Sequence, residues 1–192
     1  MKWLVLSVLT LIFWVVLYLY LYLGFFKSVD VRVGEMPGFV LVYKDHIGPY
    51  HQINESLKTV EEALYKKGFP CSKTFGEFLD DPNEISEDRL RSHVGCAFDK
   101  KGSQLSVAEE KIRKVSKDLG YQFDFRRAKP AVVAKFQGSP AIGPFKVYPK
   151  MEEVILDQRL AKEGPVIEVY EVQGDEVLTT YYQPLADHQT SD

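Results

Sequence analysis

The hydrophobic positions of the chain fall into two regimes. Residues 3–26 form an apolar run without a single charged side chain. At ~1.5 Å rise per residue, a helix of that length covers roughly 36 Å, enough to cross the ~30 Å hydrocarbon core of a bilayer with some tilt. Beyond it the apolar residues alternate between short clusters and helical spacings. Residues 39–43 (Phe-Val-Leu-Val-Tyr) and 131–136 (Ala-Val-Val-Ala-Lys-Phe) are short and rich in β-branched and aromatic residues, the pattern of strands. After the first, Ile53, Leu57, Val60 and Leu64 recur at spacings of three and four. Following the second, Tyr148, Met151, Ile155 and Leu160 do so with one longer step. Each set predicts an amphipathic helix, with expected stops at Gly68 and Gly164 ahead of Pro70 and Pro165.

Two further strands follow each predicted helix. In the first half they are residues 72–79 and 92–98, separated by the turn-forming Asp80-Asp81-Pro82-Asn83; in the second they are 166–172 and 176–183, separated by Gln173-Gly174-Asp175. Val107, Ile112, Val115 and Leu119 predict a linking helix over 106–120. The unit is therefore β-α-β-β, used twice. Ile47-Gly48-Pro49-Tyr50 and Ile142-Gly143-Pro144-Phe145 extend the repeat at an offset of 95 residues. Two such halves frame a groove. The expected segments are an anchor at 1–27, a juxtamembrane linker at 28–37, one domain at 38–185 (repeats about 38–99 and 128–185) and a polar tail at 186–192.

Composition narrows the options. The domain part holds about 155 residues, a normal size for one core. A formal net charge of −3 in 192 residues, with no basic cluster interleaved with aromatics, excludes nucleic acid as an expected partner. Pairs such as Lys100-Lys101 and Arg126-Arg127 read as solvated surface. Lys2 and Lys27 bracket the apolar run, and no small-x-small cleavage pattern closes it, so an uncleaved anchor is expected in place of a signal peptide. Lys27, Arg32 and Lys44 outnumber Lys2, which leans the domain toward the cytoplasmic side. If 72–79 pairs antiparallel with 92–98, Cys71 and Cys96 fall nearly opposite each other; the expectation is a reduced, buried pair, with a disulfide as the alternative.

One strand carries candidate chemistry. Side chains alternate faces along 166–172, so Glu168 shares a face with Val166, Tyr170 and Val172. A carboxylate among apolar neighbours has a raised pKa, and a cationic ligand offsets the cost of keeping it charged. Aromatic walls beside it would favour lipophilic cations. Tyr50 and Phe145, each following Gly-Pro, are expected to line the cleft symmetrically. Of Tyr181 and Tyr182 only one can face it, and Tyr182 is the candidate. His46 and His51 lack partners at metal-ligand spacing, so no metal and no cofactor are expected. No Ser–His or Cys–His pairing is visible.

Several stretches resemble the GyrI-like small-molecule-binding family: His46-Ile47-Gly48-Pro49-Tyr50, Phe75-Gly76-Glu77-Phe78-Leu79-Asp80-Asp81-Pro82, Glu168-Val169-Tyr170 and Tyr182-Gln183-Pro184-Leu185. The resemblance implies an α+β fold in which the duplicated units form a curved antiparallel sheet with two main helices, here preceded by one transmembrane helix. It also implies that Glu168 is the ligand-contacting acid, with Tyr170 beside it. A narrower resemblance runs to membrane-anchored GyrI-like proteins of the ER-phagy receptor type, through the anchor, residues 43–48, Cys71 and residues 92–97. Those work through a long C-terminal tail, and here only seven residues follow Leu185. Three readings stay open: a membrane-tethered module for a small, hydrophobic, cationic ligand; an adaptor for a protein partner; and a hydrolase of strained electrophiles.

Overall fold

The computed structural model describes residues 2–100 and 106–186; most of the expected polar tail lies outside them. The apolar N-terminus is one helix, α1 (Lys2–Tyr22), with no buried residues and a mean hydropathy of 2.5 over its best window. It is long and apolar enough to cross a membrane. The remainder is α+β, with one eight-stranded antiparallel sheet and three further helices.

The first half contains β2 (Phe39–Ile47), α2 (Ile53–Lys66), β3 (Thr74–Phe78) and β4 (Arg91–Asp99); the second contains β6 (Lys129–Gln137), α4 (Gly143–Asp157), β7 (Ile167–Gln173) and β8 (Glu176–Pro184). Helix α3 (Val107–Asp118) links them. Its start is fixed by a capping box, in which the Ser106 hydroxyl accepts from Glu109 N–H while the Glu109 carboxylate accepts from Ser106 N–H. Strand order across the sheet is β1-β6-β8-β7-β3-β4-β2-β5. Each half thus runs first strand, third strand, second strand, and the halves meet at β7–β3.

Two strands were not expected. Residues placed in a juxtamembrane linker form β1 (Asp30–Met36), and β5 (Gln122–Arg126) follows α3. They occupy the two edges, and they are exchanged: β1, which precedes the first half, pairs with β6 of the second, while β5, which precedes the second, pairs with β2 of the first. The unit is therefore β-β-α-β-β with its leading strand donated to the other half. Strand β1 is exposed along most of its length, and it carries only a short apolar alternation through Val29, Val31 and Val33.

The tetrapeptide repeat is also out of structural register. Strand β2 ends at Ile47 and α2 begins at Ile53; β6 ends at Gln137 and α4 begins at Gly143. The structural counterpart of Gly48-Pro49-Tyr50 is thus Gly138-Ser139-Pro140, five residues before the sequence match. Helix α2 buries Ile53, Leu57, Val60 and Leu64 as its spacing requires, and Gly68 beyond its end takes a left-handed φ of 85°. By contrast α4 stops at Asp157, well before Gly164. Arg159 takes the left-handed conformation there, at φ 53°, and Leu160 N–H bonds the Ile155 carbonyl.

One sheet face packs on the helices. Val132, Ala134, Phe136 and Tyr181 meet Val147, Met151 and Ile155 of α4, while Val40, Val42 and Cys96 meet Val60 and Leu64 of α2 and Ile112 of α3. The other face curls over its own core of Met36, Phe39, Leu41, Phe75, Val133, Ile167 and Val169. Cys71 and Cys96 form a disulfide with Cα atoms 5.7 Å apart, which corrects the expectation of a reduced pair.

Candidate functional site

Where the halves meet, β7 runs beside β3 with Glu168 opposite Gly76, and beside β8 with Glu168 opposite Tyr181. Directly paired residues share a face, so Glu168, Gly76 and Tyr181 all face the helices. A Cβ on Gly76 would meet the Phe78 ring at 3.0 Å and the Tyr170 hydroxyl at 3.5 Å, so the glycine leaves room for both beside the carboxylate. From α4, the Tyr148 hydroxyl donates to Glu168 Oε1 at 2.6 Å; from β7 itself, the Tyr170 hydroxyl donates to Oε2 at 3.0 Å. Tyr148 stacks edge-on against Tyr181, with ring centroids 5.8 Å apart. Tyr170 packs on the other side, with Phe78, against Ile53 and Leu57 of α2 and Val94. The carboxylate therefore sits between the α4 cluster and the α2 cluster, at the centre of the duplicated architecture.

Glu168 is only 2% exposed, and its hydrogen-bond partners among the described residues are these two phenols, with no cation. Burial pushes its pKa up to about 7, against the pull of the two tyrosine donors, which favour the charged form. Burial, and then the charge on Glu168, pushes both the Tyr148 and Tyr170 phenols well above their usual range. Both therefore remain protonated donors near neutrality. The result is a carboxyl group poised between neutral and ionised, held by neutral hydroxyls and walled by aromatic rings.

A cleft of about 390 Å³ opens beside α4, lined by Tyr148, Pro149, Met151, Glu152 and Ile155 of α4 with Lys162, Val166 and Gln183. Its volume falls in the range of small-molecule pockets. Glu168 is not in that lining; Tyr148 links the two features, lining the cleft while its hydroxyl holds Glu168.

The expected site residues divide. Glu168 and Tyr170 come together. Tyr182 pairs with Ile167, so it points to the opposite face, where it packs edge-on against Phe39 with centroids 5.9 Å apart. Tyr50 clasps the loop before β4: its hydroxyl donates to the Asp80 carbonyl at 2.9 Å and accepts from Asp80 N–H at 3.0 Å, with its ring on Phe78. Phe145 is 80% exposed on the first turn of α4 and lines nothing around Glu168. The symmetric pairing of Tyr50 with Phe145 fails because the tetrapeptides are not structural counterparts.

Tyr148 and Tyr181 take the expected places of Phe145 and Tyr182. The signal for Tyr181 was present: closure of the β7–β8 hairpin by Gln173 opposite Glu176 places Glu168 opposite Tyr181. The helical spacing put Tyr148 on the inward face of α4, but its bond to Glu168 depends on how α4 lies across β7, which no local pattern gives. The Gly143 of the second tetrapeptide has its own reason, since a Cβ there would come within 2.0 Å of the Tyr181 hydroxyl.

No family model matches the chain, and no curated protein matches it. Solved structures do. The C-terminal domain of EcmrR superposes with a TM-score of 0.59 at 14% identity, covering 82% of this chain and 98% of that domain. EcmrR in its complex with DNA and an RNA polymerase open complex gives 0.58 at 13% identity, covering 88% of this chain but 63% of the longer EcmrR chain. SAV2435 bound to tetraphenylphosphonium gives 0.44 at 15% identity. The two EcmrR likenesses show the fold, which is GyrI-like: α+β, with a curled antiparallel sheet and helices on one face.

Proposed function

We propose that the chain is a membrane-anchored binding module that takes a small, hydrophobic, cationic organic ligand against Glu168. The observation that carries this reading is a nearly buried carboxylate with no cation partner among the described residues, held by neutral tyrosine donors, one of which, Tyr148, also lines a cleft of about 390 Å³. A structural carboxylate at such depth would be matched by arginine or lysine. Here the missing partner is supplied by the ligand, whose charge stabilises ionised Glu168 while its apolar body displaces Tyr148 and enlarges the cavity. Tyr148, Tyr170 and Tyr181 provide aromatic faces for cation–π contact. Anchoring follows from α1, and the disulfide between Cys71 and Cys96 favours the oxidising side of the membrane over the cytoplasmic side to which the lysine and arginine count leans.

The test is thermal denaturation of the detergent-solubilised full chain with tetraphenylphosphonium, using triphenylphosphine oxide as the uncharged control. The cation is expected to raise the melting temperature of wild type at pH 8, less at pH 5.5, and not that of Glu168→Gln. Equal stabilisation of wild type and Glu168→Gln, or by the uncharged control, would overturn the reading.

A further inference from the structure

The anchor and the domain are joined more tightly than a linker would join them. Lys146 of α4 donates from Nζ to the carbonyls of Gly24, Phe25 and Lys27, just past the end of α1, where the Gly24 carbonyl also accepts from Lys27 N–H. Lys27 pairs with Glu176 at the start of β8. Gly24 is buried, and a Cβ there would touch the Phe136 ring and Gly138 at 3.6 Å. The first turn of α4 is thereby fixed against the point where the chain leaves the bilayer. With 21 residues, α1 rises roughly 31 Å, close to the thickness of a hydrocarbon core. The carbonyls that Lys146 reaches therefore lie at headgroup level.

Phe145 stands one residue, about 3.8 Å of chain, from Lys146. Its 80% exposure is high for a phenylalanine, and it has a clear neighbourhood: Phe25 and Phe26 are also exposed beside the carbonyls that Lys146 holds. We infer that Phe145, with Phe25 and Phe26, dips into the lipid interface, so that the N-terminal end of α4 rests on the membrane surface. The inference rests on the reading of α1 as a membrane span and is continuous with it. Aromatic rings at the end of a span gain by burial among headgroups and upper acyl chains, and the neighbouring Lys27 and Lys146 ammonium groups lie where snorkelling cations belong. The same placement explains why a large aromatic survives on a surface where it covers no core. It also sets Tyr148, three residues further along α4, within one turn of the lipid, so the wall of the Glu168 site begins at the bilayer.

The test uses the full chain in phosphatidylcholine bilayers with single spin labels at Phe145→Cys, Leu156→Cys and Leu9→Cys, each read for relative accessibility to oxygen and to a water-soluble nickel chelate. Leu156 is the matched control: it is 67% exposed on the same helix, eleven residues and roughly 16 Å further along. The Leu9 label is expected to report the bilayer interior, the Phe145 label the interface, with oxygen favoured severalfold over the chelate, and the Leu156 label bulk water. A deep Leu9 label with a Phe145 label as wet as that at Leu156 would overturn the lipid contact while leaving the anchor intact. A Leu9 label accessible to the chelate would overturn both.

Discussion

Glu77 and Glu168 occupy neighbouring strands at the seam between the halves, and both are almost fully buried, at 3% and 2% exposure. Glu77 pairs with Ile167 and faces the curled core; Glu168 pairs with Gly76 and faces the helices. Their partners differ in kind. Arg126 reaches Glu77 at 3.2 Å, and His93 contacts it at 2.7 Å while approaching Asp45 at 3.4 Å on its other side. Glu168 has only two phenols. The first carboxylate is answered within the fold, whereas the second is left for something to answer. The surroundings follow suit: the first half is stapled by the Cys71–Cys96 disulfide, and the second holds the cavity under α4. On the proposed reading, the duplicated scaffold uses one half structurally and the other for binding.

The largest test of that division is a pair of glycines. On Gly95, in the first half, a Cβ would lie 2.0 Å from the Val42 carbonyl oxygen and 2.7 Å from Tyr43 Cα, both backbone of the paired strand. Gly95→Ala is expected to cost about 3 kcal/mol or more, read by chemical denaturation, with no side-chain trimming able to relieve it. In the second half a Cβ on Gly143 meets the Tyr181 hydroxyl instead. Gly143→Ala is expected to cost less, and Tyr181→Phe to restore part of the loss.

Next comes the pH dependence of Glu168. Its folded pKa of about 7 lies above its unfolded value, so the folded state holds the extra proton. The stability this confers is present below pH ~4.5 and is lost as pH rises through about 7. A shift of this size corresponds to about 3 kcal/mol between those limits. Glu168→Gln, which carries no titrating proton, is expected to gain on wild type by up to that amount at pH 8. Denaturation curves of both proteins at pH 4.5 and pH 8 check this; a constant difference would mean that the carboxylate is answered after all.

Glu77→Gln is expected to act in the opposite direction, lowering stability at pH 8 by about 2 kcal/mol. It leaves Arg126 without its buried counter-charge and His93 without its carboxylate partner, and the partial exposure of both limits the loss. If both substitutions stabilised the protein, the contrast between the halves would fail.

Much of this architecture could be read from residue spacing, and the failures share a cause. The faces of α2 and the alternation that sets Glu168 inward are local patterns, and both hold. The leading strands do carry apolar alternation, Val29, Val31 and Val33 at β1 and Tyr121, Phe123 and Phe125 at β5, but their exchange between the halves is a long-range pairing that no local pattern encodes. The repeated Ile-Gly-Pro-aromatic tetrapeptide suggested a symmetry that strand and helix ends place five residues away. Choosing Tyr182 over Tyr181 was a one-residue error of register, and in a sheet that moves a side chain to the other face. Tyr148 stood on the predicted inward face of α4, but its bond to Glu168 was not legible, because contacts between a helix and a distant strand are not written in either segment alone.

The central claim is that Glu168 ionises to meet a cation. Calorimetric titration of tetraphenylphosphonium into the full chain at pH 6.5, in buffers of different ionisation enthalpy, counts the protons released. The account predicts release of a sizeable fraction of a proton per ligand, absent in Glu168→Gln, because about half of the free protein is protonated near pH 7 and the bound form is not. Binding with no proton release, or with the same release from Glu168→Gln, would contradict it.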